Sequence, residues 1–136
     1  MFRLTWFEEY LLDLVHPERR RMTRHILEDP KATFVWGKLM NPHFIRKLLG
    51  HSLPFCPAEI QGYARVPSGD FYALKKKKGA TTQGVVLLGL SERDVAGLNE
   101  YEKVPDVMER RRIRVSMGTL KRRTYFYIKK GTPNRN

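Results

Sequence analysis

Cysteine is almost absent from this chain: Cys56 is the single one in 136 residues. A lone thiol excludes an intramolecular disulfide framework and fits a reducing compartment. Metal chemistry has little to work with either. His16, His25, His43 and His51 share no ligand spacing and Cys56 has no partner, so no metal is expected. Long apolar runs are missing too. Near the N-terminus Glu8, Glu9 and Asp13 interrupt the hydrophobic residues, which argues against a signal peptide or membrane span and leads us to expect a cytoplasmic protein. There is no internal repeat and no low-complexity tract. Apolar residues nevertheless make up 41% of the chain, enough at this length for one domain with a working core.

Acidic residues are also scarce. Fourteen Asp and Glu stand against 26 Lys and Arg, a net charge of +12. The cations cluster as Arg19-Arg20-Arg21 with Arg24, Lys75 to Lys78, Arg110-Arg111-Arg112 with Arg114, and Lys121-Arg122-Arg123. Such clusters suit nucleic acid or another polyanion, and equally a solvated basic surface. No recognition helix, RNP motif or zinc finger accompanies them.

The order of elements can be read from punctuation and periodicity. Thr5-Trp6-Phe7-Glu8 spells a capping box ahead of Phe7, Tyr10, Leu11, Leu14 and Val15 at helical spacing, and His16-Pro17 ends that helix. A second, basic helix is expected over 18–28. The first helix is a poor interfacial membrane helix, because its polar face is acidic and lacks lysine. Beyond Asp29-Pro30 the texture changes to short strands and turns. Strands are expected over 33–36, 58–66, 71–74 and 83–90, the last buried on both faces. Residues 108–117 and 120–129 should form a hairpin about Gly118-Thr119. A helix over 42–49 stops at Gly50, and Ser91 caps another with Asp94 in the capping-box position. Six or so strands with two small helices predict an α+β fold, a small mixed β-barrel or curled sheet. Residues 1–30 would be a helical extension, 31–130 the barrel domain, and 131–136 a flexible tail.

One stretch stands out for chemistry. Thr33-Phe34-Val35-Trp36 breaks at Gly37, and Lys38-Leu39-Met40 leads to a helix opened by Asn41-Pro42. A strand ending in a glycine turn offers backbone N–H groups that can hold a carboxylate or an oxyanion. A second element, Leu98-Asn99-Glu100-Tyr101-Glu102, follows some sixty residues later.

Taken in order, the pieces carry a family pattern. They are Phe34-Val35-Trp36-Gly37-Lys38-Leu39-Met40, Gly62-Tyr63-Ala64-Arg65, Phe71-Tyr72-Ala73-Leu74, Gly84-Val85-Val86 leading to Gly89-Leu90-Ser91, Leu98 to Glu102, Met108-Glu109-Arg110 and Tyr125-Phe126-Tyr127-Ile128. The string resembles the gamma-glutamylcyclotransferase-like family, including its plant avirulence-induced branch, over residues 33–130. That resemblance implies a small β-barrel with a polar cavity at one end and a glutamate as catalytic base, working without metal or cofactor. Carried over by motif, the base is Glu102. The substrate-binding loop is Val35, Trp36, Gly37, Lys38, Leu39 and Met40, with Tyr72 and Arg110 as further substrate contacts. The expected reaction closes a γ-glutamyl group to 5-oxoproline and releases an amine.

The chain departs from the family pattern at four places. Trp36 replaces tyrosine, Lys38 replaces serine or threonine, Lys103 replaces the glycine after the glutamate, and Met108 replaces the tyrosine of Tyr-x-Arg. Lys38 could pair with a substrate carboxylate, or neutralise Glu102 and weaken it as a base, or mark a different ligand. Two functions follow: the cyclotransferase-like enzyme, and a non-catalytic basic binding module of the same fold.

Overall fold

Alternating β-prone residues dominate the second half of this chain, and the sheet they make has no free edge. The structure, a computed structural model, describes residues 29–69 and 71–133. Strands β1 (Thr33–Val35), β2 (Phe55–Ser68), β3 (Phe71–Leu87), β4 (Met108–Met117) and β5 (Leu120–Lys129) close into a barrel in the order β1-β3-β2-β4-β5. Every pairing is antiparallel except β1 with β5, which meet in parallel at Thr33 and Tyr125. The Tyr125 N–H donates to the Ala32 carbonyl at 2.9 Å and seals that seam. Two helices flank the barrel, α1 (Pro42–Leu49) and α2 (Glu92–Tyr101). This is the expected mixed barrel with flanking helices.

Strand alternation sorts the apolar residues into two layers. Phe34, Ile60, Val86, Leu88, Phe126 and Ile128 belong to the barrel interior. Val35, Val85, Leu87 and Tyr127 form the other layer, against Ile45 of α1 and Leu98 of α2. A fully buried side chain of this size contributes about 1.5–3 kcal/mol, so both layers are worth having. The continuous apolar run near residue 86 follows, since β3 has packed neighbours on both faces. Cys56 is fully buried inside, with its S–H donating to the Met117 sulfur at 3.1 Å.

Gly84 marks the closest approach of β3 to β1. A Cβ there would strike the Val35 carbonyl oxygen and lie 2.5 Å from a Phe34 ring carbon. Only a residue without a side chain lets the two strands meet at that point.

The helices end as their sequences direct. Asn41 Oδ1 accepts from the His43 N–H at 2.9 Å, Pro42 opens α1, and Gly50 closes it in the left-handed conformation. At α2 the Ser91 hydroxyl accepts from the Asp94 N–H and Asp94 Oδ2 from the Ser91 N–H, completing the capping box.

Three expectations need correction. The strands expected over 58–66, 71–74 and 83–90 are parts of just two long strands, so the barrel has five strands rather than about six. Of the lysine run at 75–78, a poor β-former, Lys75 and Lys76 pair with Ala64 and Tyr63 of β2, while Lys77 and Lys78 fall in the register shift opposite Gly62. The third strand also stops at Leu87: the Leu88 N–H turns to the Pro54 carbonyl (2.9 Å), and Gly89 has a positive φ. The glycine turn after β1 is a 3-10 helix, Gly37–Met40. The helices expected over residues 1–28 lie outside the described residues, as do Arg19, Arg20, Arg21 and Arg24. At the other end the chain is still hydrogen-bonded at Thr132, whose hydroxyl donates to the Lys129 carbonyl at 2.7 Å.

Candidate functional site

Glu102 stands where α2 ends, and the way the helix ends fixes it. It is the C-cap residue. The Lys103 N–H returns to the Glu100 carbonyl at 3.2 Å and the Val104 N–H to the Asn99 carbonyl at 3.0 Å, the paired bonds of a Schellman motif. That motif needs a left-handed residue after the cap, and Lys103 supplies it at φ 57°. Glycine would take this conformation at less cost; a lysine there carries about 1–2 kcal/mol of strain. A cis Val104–Pro105 bond follows.

The Glu102 carboxyl is pushed up to about 7 by burial. No opposite charge offsets that effect. Among the described residues no ion pair links it to Lys38, which is exposed, so the alternative in which Lys38 keeps Glu102 ionised is not realised. A carboxyl titrating near neutrality can both take and return a proton.

Beside it runs a polar chain that crosses the barrel seam. The Tyr127 hydroxyl donates to Asn99 Oδ1 at 2.7 Å and accepts from Arg110 Nη1 at 2.9 Å. Arg110 Nη2 donates to Thr33 Oγ1 at 2.9 Å and to the Lys31 carbonyl at 3.2 Å. The guanidinium also lies 4.4 Å from the Tyr125 ring centre and 5.3 Å from that of Tyr127. Tyr127 is pushed up to about 12, mainly by burial, with the Glu102 charge adding to it, so the two groups sense one another. Arg110 therefore braces the wall next to Glu102 while holding β1 to β4. Sequence reasoning missed Tyr127 and Asn99. Tyr127 was legible only as part of a terminal motif, and its hydroxyl partners come from elements distant in sequence.

The loop after β1 has two faces. Trp36 packs against the barrel interior, and Arg65 of β2 lies over its ring at 5.3 Å. The same guanidinium lies 5.1 Å from the Tyr72 ring, so Trp36 and Tyr72 share one cation; Tyr72 itself is 57% exposed. Gly37 takes φ 68°, in the left-handed region, and starts the 3-10 helix. Val35, Leu39 and Met40 pack instead in the outer apolar layer, together with Tyr127 and with Val104 and Met108, which follow Glu102 in the chain. That layer is the physical link between the loop and the segment carrying Glu102. The predicted site residues thus form two groups: Glu102 with Arg110 through Tyr127, and Trp36 with Tyr72 through Arg65.

A cleft of about 200 Å³ opens beside the loop, lined by Leu39, Met40, Ile45, Leu53, Phe55 and Leu87, with Ser52 the polar exception. It does not contain Glu102, so it is an apolar neighbour of the candidate site. Among the described residues no cluster of His, Cys, Asp or Glu could hold a metal, and no helix is long and apolar enough to cross a membrane.

Comparison with known proteins bears on this geometry. A family model described as gamma-glutamyl cyclotransferase, AIG2-like, matches residues 33–136. Among solved structures, a protein of Arabidopsis thaliana, At5g39720.1, superposes with a TM-score of 0.65 at 18% identity, covering 76% of this chain and 70% of its own. A structure named gamma-glutamyl cyclotransferase gives 0.63 at 16% identity, covering 73% and 66%. An AIG2-like protein of Mus musculus gives 0.55 at 15% identity, covering 79% and 82%. At such identities these structures speak to the fold. No curated protein matches the chain in sequence.

Proposed function

The chain belongs to the gamma-glutamyl cyclotransferase, AIG2-like family, and from that premise we propose that it cyclises a γ-glutamyl amide or amine to 5-oxoproline and releases the amine, with Glu102 as general acid–base. The observation that carries this reading is the half-buried Glu102 carboxyl, pushed up to about 7 by desolvation and close enough to Tyr127 for its charge to act there.

In the reaction the α-amine of the glutamyl group attacks its own γ-carbonyl carbon. The new C–N bond closes a five-membered lactam and the old amide C–N bond breaks. Because the nucleophile is tethered, holding the glutamyl chain folded supplies much of the acceleration. Glu102 takes a proton from the α-ammonium and returns it to the departing nitrogen. The second proton that the ring nitrogen loses ends on the released amine as it leaves as an ammonium, so no net proton is consumed. Such a group typically contributes about 10²–10⁴ in rate, roughly 3–5 kcal/mol of barrier. The loop Trp36–Met40 would receive the glutamyl carboxylate or the oxyanion on its backbone N–H groups, and Lys38 would favour an anionic substrate.

The test is a panel of γ-glutamyl amines and dipeptides assayed for 5-oxoproline. Turnover by the native protein and its loss in a folded Glu102→Gln protein is the expected result. Undiminished turnover in that variant would overturn the assignment.

One observation favours a second reading, a basic binding module. On β4 and β5 Arg114 stands directly opposite Arg123, with Arg112 and Lys121 exposed nearby. Like charges in register cost stability unless an anion lies across them. A polyanion partner predicts retention on heparin or DNA, with log affinity falling steeply against log salt; a flat slope rules it out.

A further inference from the structure

Half of the outer face of the β4–β5 ribbon is left bare by the helices. The two strands alternate between interior and exterior, with Val115, Met117, Phe126 and Ile128 packed inside the barrel. On the outer side Met108 and Tyr127 belong to the apolar layer that α1 and α2 complete. Nearer the Gly118-Thr119 turn that cover ends. There Arg112 stands opposite Tyr125, Arg114 opposite Arg123 and Ser116 opposite Lys121, and all four cations are exposed.

The face is short of counter-charge. Each strand carries four lysines and arginines, and the only acid in either is Glu109, which alternates to the other face and is ion-paired with Arg111. Glu59, which the register puts beside Ser116, accepts from the Gln83 amide at 2.8 Å. Among the described residues no ion pair reaches Arg112, Arg114, Lys121 or Arg123. Cations held opposite one another in this way repel, and an anion lying across them removes the penalty.

Spacing and chemistry narrow the anion. Same-face residues recur about every 7 Å along a strand, so Arg112 and Arg114 on β4 run beside Arg123 and Lys121 on β5 as two short rows. A single phosphate or carboxylate engages one pair and leaves the other; a chain of phosphates engages them in succession. At the end of the rows the Tyr125 ring centre lies 5.4 Å from the Arg112 guanidinium and 4.4 Å from that of Arg110. Rings and guanidinium planes are the surfaces on which unpaired bases stack. A duplex suits the face less well. A two-stranded ribbon reads the major groove by entering it, whereas here β4 is paired to β2 at Ser116 and β5 to β1 at Thr33. A lipid surface asks for apolar side chains beside the charge, and Leu120 is the one large exposed hydrophobic residue of the ribbon.

We propose that this face binds single-stranded nucleic acid, with Arg112, Arg114, Lys121 and Arg123 on successive phosphates and a base against Arg112 and Tyr125. The proposal deepens the basic-module reading and rests on it for the sign of the ligand. It makes no use of Glu102.

Fluorescence anisotropy of labelled oligo(dT) and oligo(U) of about 20 nucleotides, longer than the site of one small barrel, tests it. The proteins are the native chain, Arg114→Gln/Arg123→Gln, Arg112→Lys, and a charge control, Lys75→Gln/Lys77→Gln, whose two lysines are exposed on β3 with β2 between them and the ribbon. The native protein should show a slope of log affinity on log salt near −3, from about −0.7 for each of the four phosphates. Arg114→Gln/Arg123→Gln should flatten that slope by about 1.4 and weaken binding about tenfold or more at about 0.1 M salt. Arg112→Lys should weaken binding at unchanged slope, because the charge stays and the plane goes. The charge control should keep the native slope, and tighter binding of one oligomer would assign the sugar. Thermal unfolding should show Arg114→Gln/Arg123→Gln at least as stable as the native protein. A flat native slope would reject both this proposal and the basic-module reading. An equal loss in the charge control, no loss in Arg112→Lys, a destabilised double variant, or tighter binding to a duplex or to phosphatidylserine vesicles would reject the proposal alone.

Discussion

Replacing Glu102 by glutamine should change how stability depends on pH, in a direction the structure dictates. The folded carboxyl titrates at about 7, against an ordinary value of 4.5, because burial disfavours its charged form. Below pH 4.5 the group is protonated whether the chain is folded or not, and its favourable contribution is fully present. As pH rises from 4.5 to 7 the unfolded chain ionises first, and stability is lost. Above 7 the loss is complete. At 1.36 kcal/mol for each pH unit, the gap between the two values corresponds to about 3 kcal/mol, an upper figure because the group keeps some contact with water. Glutamine has the same shape and no titration. The stability of native protein minus that of Glu102→Gln should therefore fall by up to about 3 kcal/mol between pH 4 and pH 8. Urea denaturation at a series of pH values measures it, as a relative midpoint displacement of about 1–2 M. Other titrating groups cancel in the difference. A difference that stays flat across that range would mean the carboxyl is not desolvated, and the argument for a near-neutral base would go with it.

The other predictions concern the frame around that group. Tyr127→Phe removes the hydroxyl shared by Asn99 and Arg110, leaving two polar groups short of a partner; a loss of about 1–3 kcal/mol by chemical denaturation is expected, and no loss would show the chain to be incidental. Gly84→Ala forces a methyl group into the Val35 carbonyl and the Phe34 ring, where backbone cannot yield without parting β1 from β3. It should cost about 1–3 kcal/mol or prevent folding, and a variant as stable as the native protein would refute the close approach.

Much of the fold was legible because its signals are local. The Asn41-Pro42 start and Gly50 stop of α1, the Ser91–Asp94 capping box and the Gly118-Thr119 hairpin depend on residues a few positions apart. Strand length was less legible. Lys75 to Lys78 has no β-forming pattern, and the strand runs through it because the 14-residue β2 pairs with β3 on both sides of Lys77 and Lys78. In the site, Glu102 and the loop from Val35 to Met40 could be picked out by motif. Tyr127 and Asn99 lay within such motifs, but their pairing was not legible, since the bond between them joins residues 28 apart in the chain.

What the sequence determined by itself is the kind of protein this is: a small, basic, mixed β-barrel with two flanking helices, carrying the motifs of one family, with a glutamate at the end of one helix and a glycine turn after its first strand. Those features rest on short-range propensities and motif order, which need no knowledge of distant contacts. Tertiary structure decided the charge states and the pairings. Burial alone lifts Glu102 toward neutrality, and barrel closure brings Arg110 to Tyr127 and Thr33. Desolvation and register are collective properties of packed strands, and no single stretch of the chain carries them.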